Sequence, residues 1–527
     1  MGQLSKTMNK KFTSTVAGAS ILLTTVGLIS RGLGLVREMV FAGSFGLSKA
    51  YDLFLVGTVL PLTLNTIIIY IAQNYFIPVY NRLKTDSPNL AKSFIIKSFT
   101  MFIAGGCIIM GFLFFFSQTI ISLYVNNSTI VEIDVAVKVL QIYSFTIPFN
   151  AAFSILAAYL YSEFDFKLPT FAQLFVNIAM IISVIVLADT NGVISIAYGY
   201  FIGIILQLIF IFLYILKLKP DFLTLKGGRT KLLYWDSGLI LIILIEALSQ
   251  VYLISDRYFL SQVDKGGIAA LNYSMNIFLL PISIISIALS TALFPSFSKS
   301  FVENNVIEIN KKLDKFFAVN LYFFVPLTFI LFFFGDVIIK ILFQRGAFSS
   351  NDSIMTFETL KFFSLSLIFY SGYTILNKLM YSMELIKELL FITVLGCTAK
   401  VVFNYILVLY LKQDGLALSS SLSYIFFFAA TLFLLSRRLN VLMNKIFLNR
   451  FIFVLINTSL AFLISTVVLT CLRHLYFNNF YMKLLQLTIF IVVYIVNLML
   501  IDYEKIKSLT KNFQFNEEYR TNSPNVL

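Results

Sequence analysis

The chain is expected to be an all-α, polytopic membrane protein, on three observations. Of its 527 residues, 59% are apolar or aromatic and only 13% are charged, against about 45–50% and about 25% in soluble domains. Its mean hydropathy is +0.88. The apolar side chains, about 310 of them, would fill about twelve to fifteen bilayer spans at about 20 residues each. They come in unbroken runs rather than the short alternating segments of a β-barrel, and a helix satisfies its own backbone in lipid.

Taken in order, Lys6, Lys10 and Lys11 precede an apolar stretch. This imitates a secretory signal but lacks a convincing small-residue cleavage site, so it reads as a retained first span. Apolar windows lie at residues 14–36, 51–79, 94–119, 134–161, 169–189, 192–217, 232–261, 268–297, 315–343, 356–383, 387–411, 415–436, 450–472 and 482–502. That is about fourteen helices.

The net charge of +14 would suggest nucleic acid in a soluble chain, but in a membrane protein it belongs to loops that orient the fold and meet anionic lipid heads. The basic loops occur at every second connection: Lys6/Lys10/Lys11, Arg82/Lys84/Lys92, Lys217 to Lys231, Lys299/Lys311/Lys312, Arg437/Arg438/Lys445 and Lys505/Lys507/Lys511. The alternate loops carry scattered basic residues and the acidic pair Glu132 and Asp134. Both termini and the basic loops are therefore expected in the cytoplasm. No loop exceeds about 20 residues, which leaves no room for an extramembrane domain with its own core.

Cys107, Cys397 and Cys471 lie in or beside apolar runs and cannot build a disulfide framework. The single histidine, His474, sits beside Arg473 in a short polar connection, which argues against a histidine-based metal site or general base. No nucleotide-binding motif is present.

A faint internal repeat relates Pro61–Pro78, ending Ala72-Gln73-Asn74-Tyr75-Phe76-Ile77-Pro78, to Pro281–Pro295, ending Thr291-Ala292-Leu293-Phe294-Pro295, each ahead of a basic loop. Pairing helix 1 with 7 and 2 with 8 gives two pseudo-symmetric six-helix lobes, residues 1–218 and 219–440. A helix pair at 441–503 and a polar cytoplasmic tail at 504–527 follow. Duplicated halves around a central site are a common transporter plan.

Charges inside spans are costly and point to function. Ser30-Arg31-Gly32-Leu33-Gly34-Leu35-Val36-Arg37-Glu38 is apolar on both flanks. On a straight helix Arg31 and Arg37 point about 120° apart, and Gly32 and Gly34 would let the helix bend until both guanidiniums face one space. Two guanidinium forks suit phosphate oxygens, with Glu38 as counter-charge in the empty state. The competing expectation ends helix 1 near Ser30 and leaves the arginines among lipid heads.

Asp52 at the start of helix 2 and Asp256-Arg257 in helix 7 form a second group, with an internal ion pair as the alternative role. Asn272, Tyr273 and Asn276 on helix 8, and Asn65, Gln73 and Asn74 on helix 2, are candidate cavity amides or interhelical glue. Asp256, Asn404 and the run Ser419-Ser420-Ser421 would offer oxygen ligands to a small cation if they met.

The run Ser30 to Glu38, then Phe45-Gly46, Tyr51-Asp52, Pro61 and Phe76-Ile77-Pro78, resembles the start of the MurJ/MviN lipid II flippases. Ser255-Asp256-Arg257, Ala270-Leu271-Asn272-Tyr273, Pro281, Leu293-Phe294-Pro295-Ser296 and Leu342-Phe343-Gln344-Arg345-Gly346-Ala347-Phe348 are similar to that family's later signatures, in the same order. The resemblance spans about residues 15–440. It implies a member of the multidrug/oligosaccharidyl-lipid/polysaccharide flippase superfamily, with fourteen helices and two lobes around a cavity. Arg31, Arg37, Glu38 and Asp52 would line that cavity, and the last two helices would form a groove for a lipid tail.

The implied activity is not enzymatic. It is transfer of an undecaprenyl-pyrophosphate-linked peptidoglycan precursor from the inner to the outer leaflet of the bacterial cytoplasmic membrane by alternating access. No cofactor is implied beyond a membrane potential or cation gradient, and cell-envelope biosynthesis proteins are the implied partners. The chain departs from the family where Asn65 and Asn276 stand near positions usually basic, which leaves open another undecaprenyl-linked oligosaccharide, such as a capsule or O-antigen unit. A drug or cation antiporter would need an acidic site, whereas the strongest cluster is basic. A membrane glycosyltransferase or ligase would need acidic or histidine residues on an outer loop. A purely structural scaffold would leave Arg31 and Arg37 unexplained.

Overall fold

The computed structural model describes residues 16–125, 130–218, 237–439, 445–472 and 479–511. The basic N-terminus, the basic residues from 219 to 231, Arg473, His474 and the tail beyond 511 lie outside the described residues. Among the described residues the secondary structure is entirely helical.

In the N-terminal half these are α1 (Val16–Phe45), α2 (Lys49–Asp86), α3 (Pro88–Phe115), α4 (Ile130–Ser162), α5 (Lys167–Asn191) and α6 (Ile194–Leu218). There follow α7 (Ser237–Tyr258), α8 (Gly267–Val302), α9 (Val306–Phe343) and the bent α10 (Ser350–Ser364 with Leu367–Ser382). The long run Ile386–Leu439 divides at Lys412, whose backbone is non-helical (φ 51°, ψ −128°), into α11 (386–411) and α12 (413–439). The described chain closes with α13 (Lys445–Cys471) and α14 (Asn479–Lys511). Among the described residues, ten helices are long and apolar enough to cross a bilayer, or eleven with the bent pair taken as one span.

Irregularities in these helices have local causes. Proline lacks an amide hydrogen and cannot continue the i→i−4 ladder. A π turn at Ala72–Phe76 precedes Pro78 in α2, and another at Ile282–Ser286 follows Pro281 in α8. The window expected as one helix at 356–383 is bent by 50° instead. At the break, the Ser364 and Ser366 hydroxyls donate to the carbonyls of Lys361 and Phe363, and Ser421 of α12 donates to that of Phe362. These side chains take backbone acceptors that would otherwise carry the ladder.

The same packing pattern recurs in the two halves. α1 lies on α5 as α7 lies on the α11–α12 run, α2 on α4 as α8 on α10, and α5 is joined to α6 as α11 is to α12. The largest core cluster runs between the halves and includes Phe41, Tyr51 and Tyr143 with Tyr273, Phe278 and Phe343. α13 and α14 pack on α9 through Phe334, Ala461, Phe490 and Tyr494, and the Tyr494 hydroxyl donates to the Tyr322 carbonyl at 2.7 Å.

Candidate functional site

The helix array has a near end, where α1 turns into α2, and a far end, where α2 turns into α3. α1 runs unbroken to Phe45, so it neither ends at Ser30 nor bends sharply at Gly32 and Gly34. Arg37 therefore lies about 12 Å and Arg31 about 21 Å along the helix from its near end, well inside the helix. A Cβ added at Gly32 or Gly34 would meet nothing within 4 Å. The glycines leave this part of α1 open rather than hinged.

Arg37 donates from Nη2 to Glu38 Oε1 at 2.5 Å, from Nε to the same oxygen at 3.2 Å, and from Nη1 to Asn177 Oδ1 at 3.0 Å. Its guanidinium also stands over the Phe41 ring, 5.6 Å from the centroid. The pair is unequally covered, with 27% of the Arg37 side chain and 7% of the Glu38 side chain exposed. Two polar atoms of this helix are buried without a hydrogen-bond partner among the described residues: Glu38 Oε2 and, six residues before Arg37, Arg31 Nη1. Such spare valences are costly in a bilayer unless a ligand or water meets them. Asn177, on α5, was not singled out in the sequence, because an isolated asparagine in an apolar helix carries no pattern.

Asp52, expected in the cavity, does something else. Its carboxylate accepts from the backbone amides of Gly266 at 2.7 Å and Ala269 at 2.7 Å. It caps the N-terminus of α8 from the opposite half of the chain, where orphan amides and the helix dipole favour an anion. Around this cap the near end is closely packed. The Ala347 amide donates to the Gly43 carbonyl at 2.7 Å, and the Tyr51 and Tyr273 rings stack at 5.5 Å. Gly266 has φ +82° and lies against the Leu47 backbone, a close approach that only glycine makes without strain. Near the far end, Tyr70 of α2 and Tyr381 of α10 meet across the halves.

Asn65 turns into its own half, its amide donating to Thr146 Oγ1 at 3.3 Å and to the Tyr200 hydroxyl at 3.4 Å. Asn272 accepts from Arg257 Nη2 at 3.4 Å, and Arg257 Nη1 reaches the Ile268 carbonyl at 3.5 Å. Asn276 is half-buried one turn further along α8.

Asp256 and Asn404 do meet: the Asn404 amide donates to Asp256 Oδ1 at 2.9 Å. The charge facing that carboxylate is Lys400 Nζ at 2.7 Å, so the internal ion pair expected as the alternative role forms with a nearby helix, α11. Ser419 donates to the Lys400 carbonyl at 3.1 Å rather than facing Asp256. Lys400 went unnoticed because one lysine between Ala399 and Val401 reads as a span edge, whereas its side chain is fully buried. Cys397 is buried and donates weakly to the Leu248 carbonyl, while Cys107 and Cys471 are exposed, all three free.

Comparison with known proteins agrees with this architecture. The probable lipid II flippase MurJ of Buchnera aphidicola subsp. Acyrthosiphon pisum is 28% identical over 470 residues, covering 86% of this chain and 90% of that protein. The lipid II flippase MurJ of Thermosipho africanus is 25% identical over 406 residues, covering 77% and 82%. A solved structure of a lipid II flippase MurJ, described as an inward closed conformation, superposes with a TM-score of 0.76 at 24% identity, over 92% of this chain and all of that one. An inward-facing multidrug resistance MATE family transporter of the MOP superfamily matches at 0.62 with 12% identity, over 80% and 98%, which is a likeness of fold. The lipid II flippase MurJ family model matches residues 41–495, a span that begins just past Arg31, Arg37 and Glu38. That match covers most of a multi-pass helical membrane chain, and the chain belongs to the lipid II flippase MurJ family.

Proposed function

We propose that this chain carries lipid II, the undecaprenyl-pyrophosphate-linked peptidoglycan precursor, from the inner to the outer leaflet of the bacterial cytoplasmic membrane by alternating access. The observation that carries the reading is the charge cluster in the middle of α1. In a MurJ-family chain, Arg31 and Arg37 offer guanidinium donors inside a span, with Arg31 Nη1 unspent. Permanent charge and fork geometry match pyrophosphate oxygens. Arg37 would exchange its bonds to Glu38 for bonds to the ligand, so the carboxylate holds the guanidinium in place between cycles.

In this reading all of α1–α14 cross the bilayer, with α1–α6 and α7–α12 as two lobes and the groove beside α13–α14 for the prenyl tail. The far end, with Arg82, Lys84, Arg437 and Arg438, faces the cytoplasm together with both termini, and the near end faces outward. The Asp52 cap and the Gly43–Ala347 bond then close the outer side in the described state. A ligand shifts this balance only by binding one state better than the other. Membrane potential would act on the charged cavity during the return step.

The test is translocation in proteoliposomes, comparing lipid II with another undecaprenyl-pyrophosphate oligosaccharide. Faster transfer of lipid II is expected. Preference for the other cargo would assign the chain to surface-polysaccharide export, a reading favoured only by Asn65 and Asn276 standing where the family resemblance expects basic residues.

A further inference from the structure

Lys400 is surrounded as a dehydrated cation would be. Its Nζ lies 2.7 Å from Asp256 Oδ1, 2.7 Å from Ser420 Oγ and 3.1 Å from the Leu416 carbonyl oxygen. An ammonium has three protons, and these are three acceptors. They come from two helices, Asp256 from α7 and Leu416 and Ser420 from α12, around a side chain that leaves a third, α11. The Tyr252 ring faces the ammonium with its centroid 4.8 Å away, and the Tyr252 hydroxyl is fixed by the Ser420 carbonyl at 2.8 Å. One carboxylate oxygen, one hydroxyl and one backbone carbonyl make a ligand set that suits a small hard monovalent ion. Asn404 stands beside it, wholly buried, and its Oδ1 has no partner among the described residues.

We propose that the C-terminal half holds a monovalent-cation site whose occupant is the protein's own lysine. The Lys400 ammonium fills the position that soluble Na⁺ or K⁺ would take, so helices α7, α11 and α12 are tied together by a cation that never leaves. Shortening the side chain vacates the site and opens it to soluble cations, with Asn404 Oδ1 as an added ligand. The proposal concerns this site and not the cargo, so it stands or falls apart from the lipid II reading. For the transport cycle, it means that a Na⁺ gradient exerts no force through this cluster.

The experiment is a melting titration of the purified full-length protein in detergent, with NaCl, KCl or ethylammonium chloride exchanged for choline chloride at constant ionic strength. Wild type should melt within about 1 °C in all four salts. Lys400→Ala should melt lower in choline and recover by at least about 3 °C, saturably, in Na⁺ or ethylammonium. Choline, too large for the vacated space, should not restore it. Saturable stabilisation of wild type by Na⁺ that disappears in Asp256→Asn would overturn the proposal, since a soluble ion would then bind beside the lysine. A Lys400→Ala protein indifferent to every small cation would overturn it too, because a merely packed ion pair leaves no cation site behind. Should Lys400→Ala fail to accumulate, the wild-type titration still decides. The neutral pair Asp256→Asn with Lys400→Met should then fold and ignore all four salts, and a Na⁺ response in it would count against the assignment.

Discussion

Two of the ion pairs among the described residues, Asp256–Lys400 and Arg37–Glu38, are built on opposite plans. Asp256 and Lys400 are 4% and 0% exposed, and each proton of the ammonium has an acceptor. Arg37 and Glu38 are adjacent on one helix, 27% and 7% exposed, and Arg31 on the same helix has a buried donor without a partner among the described residues. Water or a ligand can reach the second pair and not the first. A buried pair that satisfies itself ties helices together, whereas a pair with spare valences can trade partners. The difference assigns structure to one cluster and ligand binding to the other, although both are charges that a hydropathy plot treats alike.

The sharpest way to break that contrast is to truncate one cation from each pair. Lys400→Ala leaves Asp256 buried with only the Asn404 amide, and removal of one partner of a buried pair costs about 3–5 kcal/mol. We expect its melting temperature in choline to fall by about 10 °C, at about 2–4 °C per kcal/mol. Arg37→Ala should lower the melting temperature by less than half as much, because Arg37 is 27% exposed and water can meet the Glu38 carboxylate that it leaves behind. Its transfer of lipid II should fall more than about a hundredfold, as expected when a charge that meets a ligand charge is lost. Equal destabilisation of the two variants, with Arg37→Ala still active, would erase the distinction.

A smaller effect is expected at the near end. Asp52→Asn keeps one acceptor for the Gly266 and Ala269 amides but loses the negative charge and leaves one amide short, a cost of about 1–3 kcal/mol. In the proposed cycle this cost falls only on the state in which the two halves meet there. Leu47, packed against Gly266, should then become accessible more often. Labelling of Leu47→Cys by an impermeant thiol reagent, with the native cysteines replaced, should accelerate about tenfold in Asp52→Asn. An unchanged rate would mean that the cap holds α8 in place without governing opening.

The fold class was legible because composition and run length are global quantities that no single side chain can overturn. The α1 charge run was legible for the opposite reason: Arg31, Arg37 and Glu38 are local, and a charge between long apolar flanks has few explanations. What did not show in the sequence was pairing. Asp52 looked like a cavity carboxylate because nothing near it in the chain reveals that Gly266 and Ala269 present bare amides to it. Asp256 invited a partner from a nearby helix, but nothing in the sequence says which helix supplies it. The partner, Lys400, stands on α11. The break in α10 was hidden because Ser364 and Ser366 are as compatible with a straight helix as with a bent one until Ser421 comes to meet them.

The finest test of the contrast lies within the open cluster, between its two arginines. Arg37 is positioned by Glu38, Asn177 and the Phe41 ring, whereas Arg31 has a buried nitrogen without a partner among the described residues. Lysine keeps the charge at either position but not the fork. At 37 the fork is used even without ligand, so Arg37→Lys should disturb both the resting network and the bound state. At 31 the buried Nη1 has no partner to lose among the described residues, and Arg31→Lys should cost only the second of two parallel bonds to a phosphate oxygen. That is about 1 kcal/mol, or a roughly fivefold weaker apparent affinity for lipid II, with maximal transfer nearly unchanged. Titrating lipid II density in proteoliposomes separates the two quantities. A fall in maximal rate at unchanged affinity would instead make Arg31 part of the opening movement, not a ligand contact.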